Sequence, residues 1–259
     1  LFGHLHGAVA DEQSADNFES FLEPIRLHYD VPALTAILMH GDRMAGIGAV
    51  GYRKSGETTP VGRDDRWHVG SIGKSMTATM IARLVERGTL TWDLRVGDAL
   101  GNAVPDMHIA YCAVTLEDLL AHRSGLVGVM TALEIWSGKL WRSTKAKADL
   151  CLDIATEALA LPPETPPRST FHYSNAGYVI AGAMAERGAG ELWDELMLRE
   201  LFGSLGMNAS GFGAPGNVGK LSQPRGHYEG RSRIVPVEPG LSGDSPPALG
   251  PAGTIHTSL

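Results

Sequence analysis

The stretch Trp67-His-Val-Gly-Ser71-Ile-Gly-Lys74-Ser-Met-Thr-Ala-Thr-Met-Ile-Ala-Arg83-Leu-Val-Glu-Arg87-Gly88 reads as a short extended segment running into a helix. The helix is apolar or small on nearly every side as far as Arg83, a composition expected of a central, buried helix rather than a surface one. Arg83 and Arg87 in its last turns, and Gly88 just beyond, give the charge and the stop signal of a helix C-terminus. Ser71 and Lys74 lie at the other end, three residues apart and so on nearly one face.

A serine hydroxyl is a weak nucleophile until a neighbouring base takes its proton. A lysine one turn away, partly desolvated beside a buried helix, can have its pKa lowered enough to serve. Backbone N–H groups at the start of the helix can also stabilise negative charge growing on a substrate carbonyl. A capping serine followed by a lysine in solvent would leave the same trace, so Ser71-x-x-Lys74 needs company.

The whole chain sets the bounds. Its 259 residues can bury a large core as one big domain or two lobes. The composition, 43% hydrophobic and 20% charged, is that of an ordinary globular protein. A net charge of −7, with no run of Lys or Arg, argues against a nucleic-acid surface. Nothing approaches an uncharged membrane-spanning length. Cys112 and Cys151 lack metal-type spacing and are expected to be buried free thiols, with no metal site and no cofactor implied. Ala8-Val9-Ala10 has the look of a signal-peptidase site, but no long apolar core precedes it, so both a secreted or periplasmic and a cytoplasmic location stay open.

Taken in order, Phe18, Phe21, Leu22, Ile25 and Leu27 form a helical stripe ending near Tyr29. Two apolar runs, Ala33 to His40 and Met44 to Tyr52, flank the turn Gly41-Asp-Arg43 and predict a β-hairpin. Residues 89–104 read as irregular, and Thr115-Leu-Glu-Asp118 as a capping box opening a short helix. Helices are expected from about Lys145 to Leu161, from Tyr173-Ser-Asn175 to about Arg187, and from Glu191 to Phe202. Beyond Gly203, Gly and Pro dominate. The distribution is α+β: a hairpin part over 1–70, a mainly helical lobe over 71–202, and a loop-rich return toward the sheet over 203–259.

The second polar cluster is Tyr173-Ser174-Asn175. Ser174 or Asn175 can cap the helix that follows. Tyr173 precedes it, and a phenol with an ordinary pKa of about 10 needs nearby positive charge to act as a base. Lys74 could supply that charge if the two helix starts converge. Ser71-Ile-Gly-Lys74, then Leu119-Leu-Ala-His-Arg-Ser-Gly-Leu126, Tyr173-Ser-Asn-Ala-Gly-Tyr178, Leu205-Gly-Met207 and Gly250-Pro-Ala-Gly-Thr254 follow one another in the order of a known family. The chain, from roughly residue 18 to its end, resembles the serine β-lactamase and penicillin-binding-protein superfamily, in its class C β-lactamase, DD-peptidase and family VIII esterase branch.

The resemblance implies a β-lactamase/transpeptidase-like fold, an antiparallel sheet flanked by helices with a mainly helical lobe. It makes Ser71 the acylated nucleophile, Lys74 its activator and Tyr173 a general acid/base. Asn175 becomes a donor positioning Lys74 and the substrate carbonyl side, and the Ser71 N–H one oxyanion donor. Which of Lys74 and Tyr173 takes the first proton stays open. His122 is expected to be structural, and His172 and His256 non-catalytic. The family's third motif, Lys/His-Thr/Ser-Gly, has no counterpart, because His256-Thr257-Ser258 reads as a continuation of the Gly250–Thr254 turn. The chain is therefore expected to be one catalytic domain incomplete at its C-terminus, with a missing segment or a second chain supplying the remaining strands. Its implied activity is hydrolysis of an ester, amide or β-lactam, on a small-molecule or short-peptide substrate, through an acyl-enzyme. The alternative is a non-catalytic relative that binds such a ligand, or a fragment that needs a second chain to complete the site.

Overall fold

The structure, a computed structural model, describes residues 18–128, 139–231, 233–240 and 243–259. The Ala8-Val9-Ala10 reading lies outside them. In chain order come α1 (Phe18–His28), the strands β1 (Ala33–His40) and β2 (Arg43–Gly51), and the two-residue strand β3 (Trp67–His68). A 3-10 turn (Gly70–Ile72) leads into α2 (Gly73–Glu86), followed by the short helices α3 (Val96–Leu100), α4 (Leu116–Leu120) and α5 (Lys139–Arg142). The longer helices α6 (Lys147–Ala160) and α7 (Asn175–Ala189) precede α8 (Trp193–Met197), which continues as a π-helix (Leu198–Phe202) and α9 (Gly203–Leu205). The chain ends with β4 (Gly211–Phe212), β5 (Gly226–Glu229), β6 (Ile234–Val237), α10 (Gly250–Gly253) and β7 (Ile255–Thr257).

These elements divide into two compact units. One holds the chain up to Trp67, residues 215–239 and the last three residues; the other holds 68–214 and 240–256. In the first unit β1 and β2 form the expected antiparallel hairpin, Ala33 opposite Gly51 and His40 opposite Arg43. Helix α1 can lie on β2 because Gly46 and Gly48 carry no side chain. A Cβ at Gly46 would stand 3.0 Å from the Phe18 ring, and one at Gly48 3.1 Å from a Leu22 methyl. The β5–β6 hairpin was not legible in the sequence. Arg53 ties the loops of this unit together, gripping buried Asp65 at 2.6 and 3.0 Å and donating to the Leu221 carbonyl.

The second unit is built around α7. Every residue from Ala176 to Ala185 is buried, and α2, α4, α6 and α10 all pack on it. Alanine and glycine make this close approach possible: a Cβ at Gly182 would come 2.5 Å from the Pro251 ring of α10. Helix α2, expected to be the buried centre, is instead one-sided. Lys74, Thr77, Met80, Ile81 and Leu84 face inward. Ser75 and Thr79 face outward and bond back to the carbonyls of Ile72 and Ser75, a local satisfaction that lets small polar residues cover an exposed helix face. Far along α2, Arg83 and Arg87 reach Glu200 of the π-helix, whose side chain is fully buried.

The capping box of α4 is as expected: Thr115 Oγ1 accepts from the Asp118 N–H at 3.2 Å, and Asp118 accepts from the Thr115 N–H at 2.9 Å. Helix α6 begins at Lys147, α7 runs on to Ala189, and residues 89–104, read as irregular, contain α3. Both cysteines are free thiols. Cys151 on α6 is buried and donates to the Ala248 carbonyl at 3.3 Å, and burial pushes its thiol up to about 12. A thiol so protonated and enclosed is inert. An aromatic disulfide reagent is therefore expected to modify only half-buried Cys112 in the native protein and both cysteines in denaturant; reaction of Cys151 under native conditions would contradict this packing.

Candidate active site

Ser71 sits in the 3-10 turn ahead of α2, exposed, after Gly70 has turned the chain at φ +52°. Lys74 follows one turn later and is only 5% exposed. Its Nζ donates to Ser71 Oγ at 3.1 Å and to the Ala252 carbonyl at 2.5 Å. That carbonyl belongs to α10, which is fastened to α2 a second time by Thr77 Oγ1 donating to Pro251 O at 2.9 Å. The turn Gly250-Pro-Ala-Gly-Thr254 thus holds the lysine in place, a role its sequence alone did not reveal.

Tyr173 comes from the segment before α7. Its hydroxyl donates to Ser71 Oγ at 2.8 Å, so the two helix starts converge on the serine. Ser174 caps α7, accepting from the Gly177 N–H at 3.2 Å and donating to Val127 O at 2.9 Å. Asn175 opens α7 half-buried, but the hydrogen bonds that hold Lys74 go to Ser71 and Ala252.

The electrostatics of the cluster are coupled. Burial lowers the Lys74 pKa, and the Tyr173 phenol opposes part of that effect. Burial of Tyr173 works to raise its pKa, but hydrogen bonding with Lys74 and with Ser71, together with the Lys74 charge, outweighs it and holds the phenol below its ordinary value. The ammonium also lies 4.9 Å from the Tyr173 ring centre and 5.6 Å from that of Tyr178, within cation–π range. Both pKa values are thereby lowered, and the serine hydroxyl lies between the two groups, hydrogen-bonded to each.

Beside the Ser71 hydroxyl lies the residue's own backbone N–H, at the start of the 3-10 turn. Gly253 borders it: a Cβ there would stand 3.3 Å from the Ser71 nitrogen and 2.9 Å from the Gly70 carbonyl. Glycine keeps the approach to that N–H open.

His122 takes a larger part than its helix-end turn suggested. Its ring stacks on Tyr173 with centroids 4.5 Å apart, and touches Tyr178 and Phe171. Its Nδ1 accepts the Ser174 N–H at 3.1 Å, which requires an unprotonated Nδ1. Burial and the Lys74 charge lower its pKa and favour that neutral form. His122 thus braces the tyrosine from behind. His172 pairs with Glu164 at 2.6 Å, and the His256 Nδ1 lies 2.8 Å from Gly213 O, beside β4. No group of three or more His, Cys, Asp or Glu among the described residues is placed to hold a metal ion, and no described helix is long and apolar enough to cross a membrane.

The comparisons with known proteins follow the same lines. The chain is 31% identical over 196 residues to penicillin-binding protein 4 of Amycolatopsis lactamdurans, an alignment covering 75% of this chain and 48% of that protein; the chain spans about half the length of this curated relative. The fold is similar to that of a D-amino acid amidase from Ochrobactrum anthropi SV3, with a TM-score of 0.71 at 21% identity over 94% of this chain and 66% of the amidase. It is also similar to a class C beta-lactamase, with a TM-score of 0.72 at 18% identity over 98% of this chain and 64% of the other. The family model described as Beta-lactamase matches residues 14–259, and with it the chain belongs to the beta-lactamase family.

Proposed function

We propose that this chain carries the nucleophile and the proton-transfer groups of a serine hydrolase acting on an ester, amide or β-lactam through an acyl-enzyme on Ser71. One observation carries the reading: Ser71 Oγ is hydrogen-bonded at once to Lys74 Nζ and to the Tyr173 hydroxyl. In acylation Oγ attacks the carbonyl carbon as its proton passes to the Lys74–Tyr173 pair, and the Ser71 N–H faces the oxyanion. Collapse breaks the bond to the leaving group, which takes up the proton from that pair. Water then attacks the ester on Oγ, giving one proton to the Lys74–Tyr173 pair, which passes it to Oγ as the acid is released. Penicillin-binding protein 4, the amidase and the class C beta-lactamase are consistent with this chemistry.

The test is intact-mass labelling of the whole protein with a fluorophosphonate and with a β-lactam. Parent protein should gain one adduct, and Ser71→Ala none. Undiminished labelling of Ser71→Ala would remove Ser71 from this role, and reversible binding without an adduct would leave the ligand-binding alternative. A chromogenic cephalosporin, a p-nitrophenyl ester and a D-alanyl peptide then separate the substrate classes.

A further inference from the structure

We propose that His68 and Asp244 are a positioning pair for the nucleophile: the His68 ring clamps the backbone at Gly70 and so aims the Ser71 N–H at the oxyanion. The proposal rests on Ser71 being the acylated residue. His68 Nδ1 accepts the Gly70 N–H at 3.1 Å, while Nε2 meets Asp244 Oδ1 at 2.8 Å. One neutral tautomer, with the proton on Nε2, satisfies both contacts. Asp244 is itself anchored. Its Oδ1 accepts the Ser245 N–H at 2.6 Å, and its backbone carbonyl accepts the Trp141 indole N–H at 2.9 Å. Its Oδ2 is buried with no hydrogen-bond partner among the described residues, so this carboxylate leans on the contacts of Oδ1.

The pair acts on the weak point of the strap. Val69 is fixed to Ile255 by its N–H, at 3.0 Å, and Ile72 closes the 3-10 turn onto Val69. Between them Gly70 adopts a left-handed φ of +52°, a conformation glycine enters and leaves at little cost. The Gly70–Ser71 peptide carries the Ser71 N–H, and the His68 bond holds the Val69–Gly70 peptide just before it. Without the His68 bond the Val69–Gly70 peptide can rock and carry the next one with it, and an oxyanion donor acts only at the right distance and angle. His68 plays no acid–base part here, because Ser71 Oγ is engaged by Lys74 and Tyr173. The pair should therefore act on kcat and leave KM nearly unchanged.

The test compares side chains that keep one half of the histidine. In the whole protein, fluorophosphonate acylation rates, together with kcat and KM on a p-nitrophenyl ester, are measured for His68→Ala, His68→Asn, His68→Gln and Asp244→Asn. His68→Ala should slow acylation roughly 10–100-fold. His68→Asn, whose amide oxygen stands in for Nδ1 and holds Gly70, should recover most of that loss. His68→Gln stands in only for Nε2 and should recover less. Asp244→Asn keeps an acceptor for Nε2 but loses the carboxylate that steadies the ring, and should slow acylation measurably but less than His68→Ala. Parent-like acylation in His68→Ala, or equal recovery by the asparagine and glutamine variants, would overturn the proposal; should His68→Ala not fold, the asparagine–glutamine comparison decides alone. A parent protein that takes no adduct on Ser71 would defeat the reading of the site itself, whereas a labelled Ser71 indifferent to His68 defeats only this inference.

Discussion

Lys74→Met is expected to lower the acylation rate of Ser71 by about 10²–10⁴-fold, the usual contribution of a positioned acid–base group, while the melting temperature at neutral pH stays near that of the parent. Methionine fills the space of the lysine stem but cannot hold or move a proton. Its loss leaves the Ala252 carbonyl without the Nζ donor, at a cost on the order of 1 kcal/mol. Removing an ammonium from a site where burial disfavours it works in the opposite direction. The two effects offset, which is why rate and stability should separate.

The same pKa shift sets a pH dependence. The folded Lys74 pKa lies below its unfolded value, so between the two the unfolded chain binds more protons and folding stability rises with pH. The cost of burying the charged form is present in full below the folded pKa and fades as pH climbs through it. The melting temperature of the parent should therefore gain on that of Lys74→Met as pH rises toward the ordinary lysine range. Tyr173→Phe should also cost about 10²–10⁴-fold in turnover. Because the phenol raises the Lys74 pKa, its removal should shift the rise of rate with pH downward. Near-normal turnover in both variants would show that neither group carries the proton.

What was legible in the sequence was local. The Ser71–Lys74 spacing, the Thr115–Asp118 box and the β1–β2 hairpin depend on neighbours within a turn or two, and each took the expected form. Tyr173 reaching Ser71 Oγ across 102 residues of sequence was legible only through the resemblance. The centre of the helical unit was misread, because α2 and α7 both look apolar and small. What distinguishes them is which faces other helices cover, and a single helix does not carry that information. The Lys74–Ala252 bond spans 178 residues and uses a backbone carbonyl, an acceptor every residue has, so no residue type could announce it. His122 was assigned to a turn and does end one, at φ +56°, yet the same conformation turns its ring onto Tyr173.

The far end of α2 should carry the largest stability effect. Glu200 is fully buried and is met by Arg87 at 2.5 Å, Arg199 at 3.2 Å and Arg83 at 3.4 Å, whose side chains are between a third and half exposed. The two ways of breaking this cluster are unequal, because they strand different charges. Glu200→Gln leaves the arginines at the solvent rim, where water replaces the carboxylate, and should cost roughly 1–2 kcal/mol. Replacing both Arg83 and Arg87 by alanine leaves the carboxylate in the interior with Arg199 alone. Stranding a buried charge typically costs about 3–5 kcal/mol, and the double variant should approach that range. Urea midpoints measure the difference. Since Ser71 and Lys74 stand at the opposite end of α2, kcat at a temperature where each variant remains folded should match the parent. If Glu200→Gln proved the more damaging, the cluster would owe its strength to pairwise attraction rather than to the cost of leaving a carboxylate dry and unpaired.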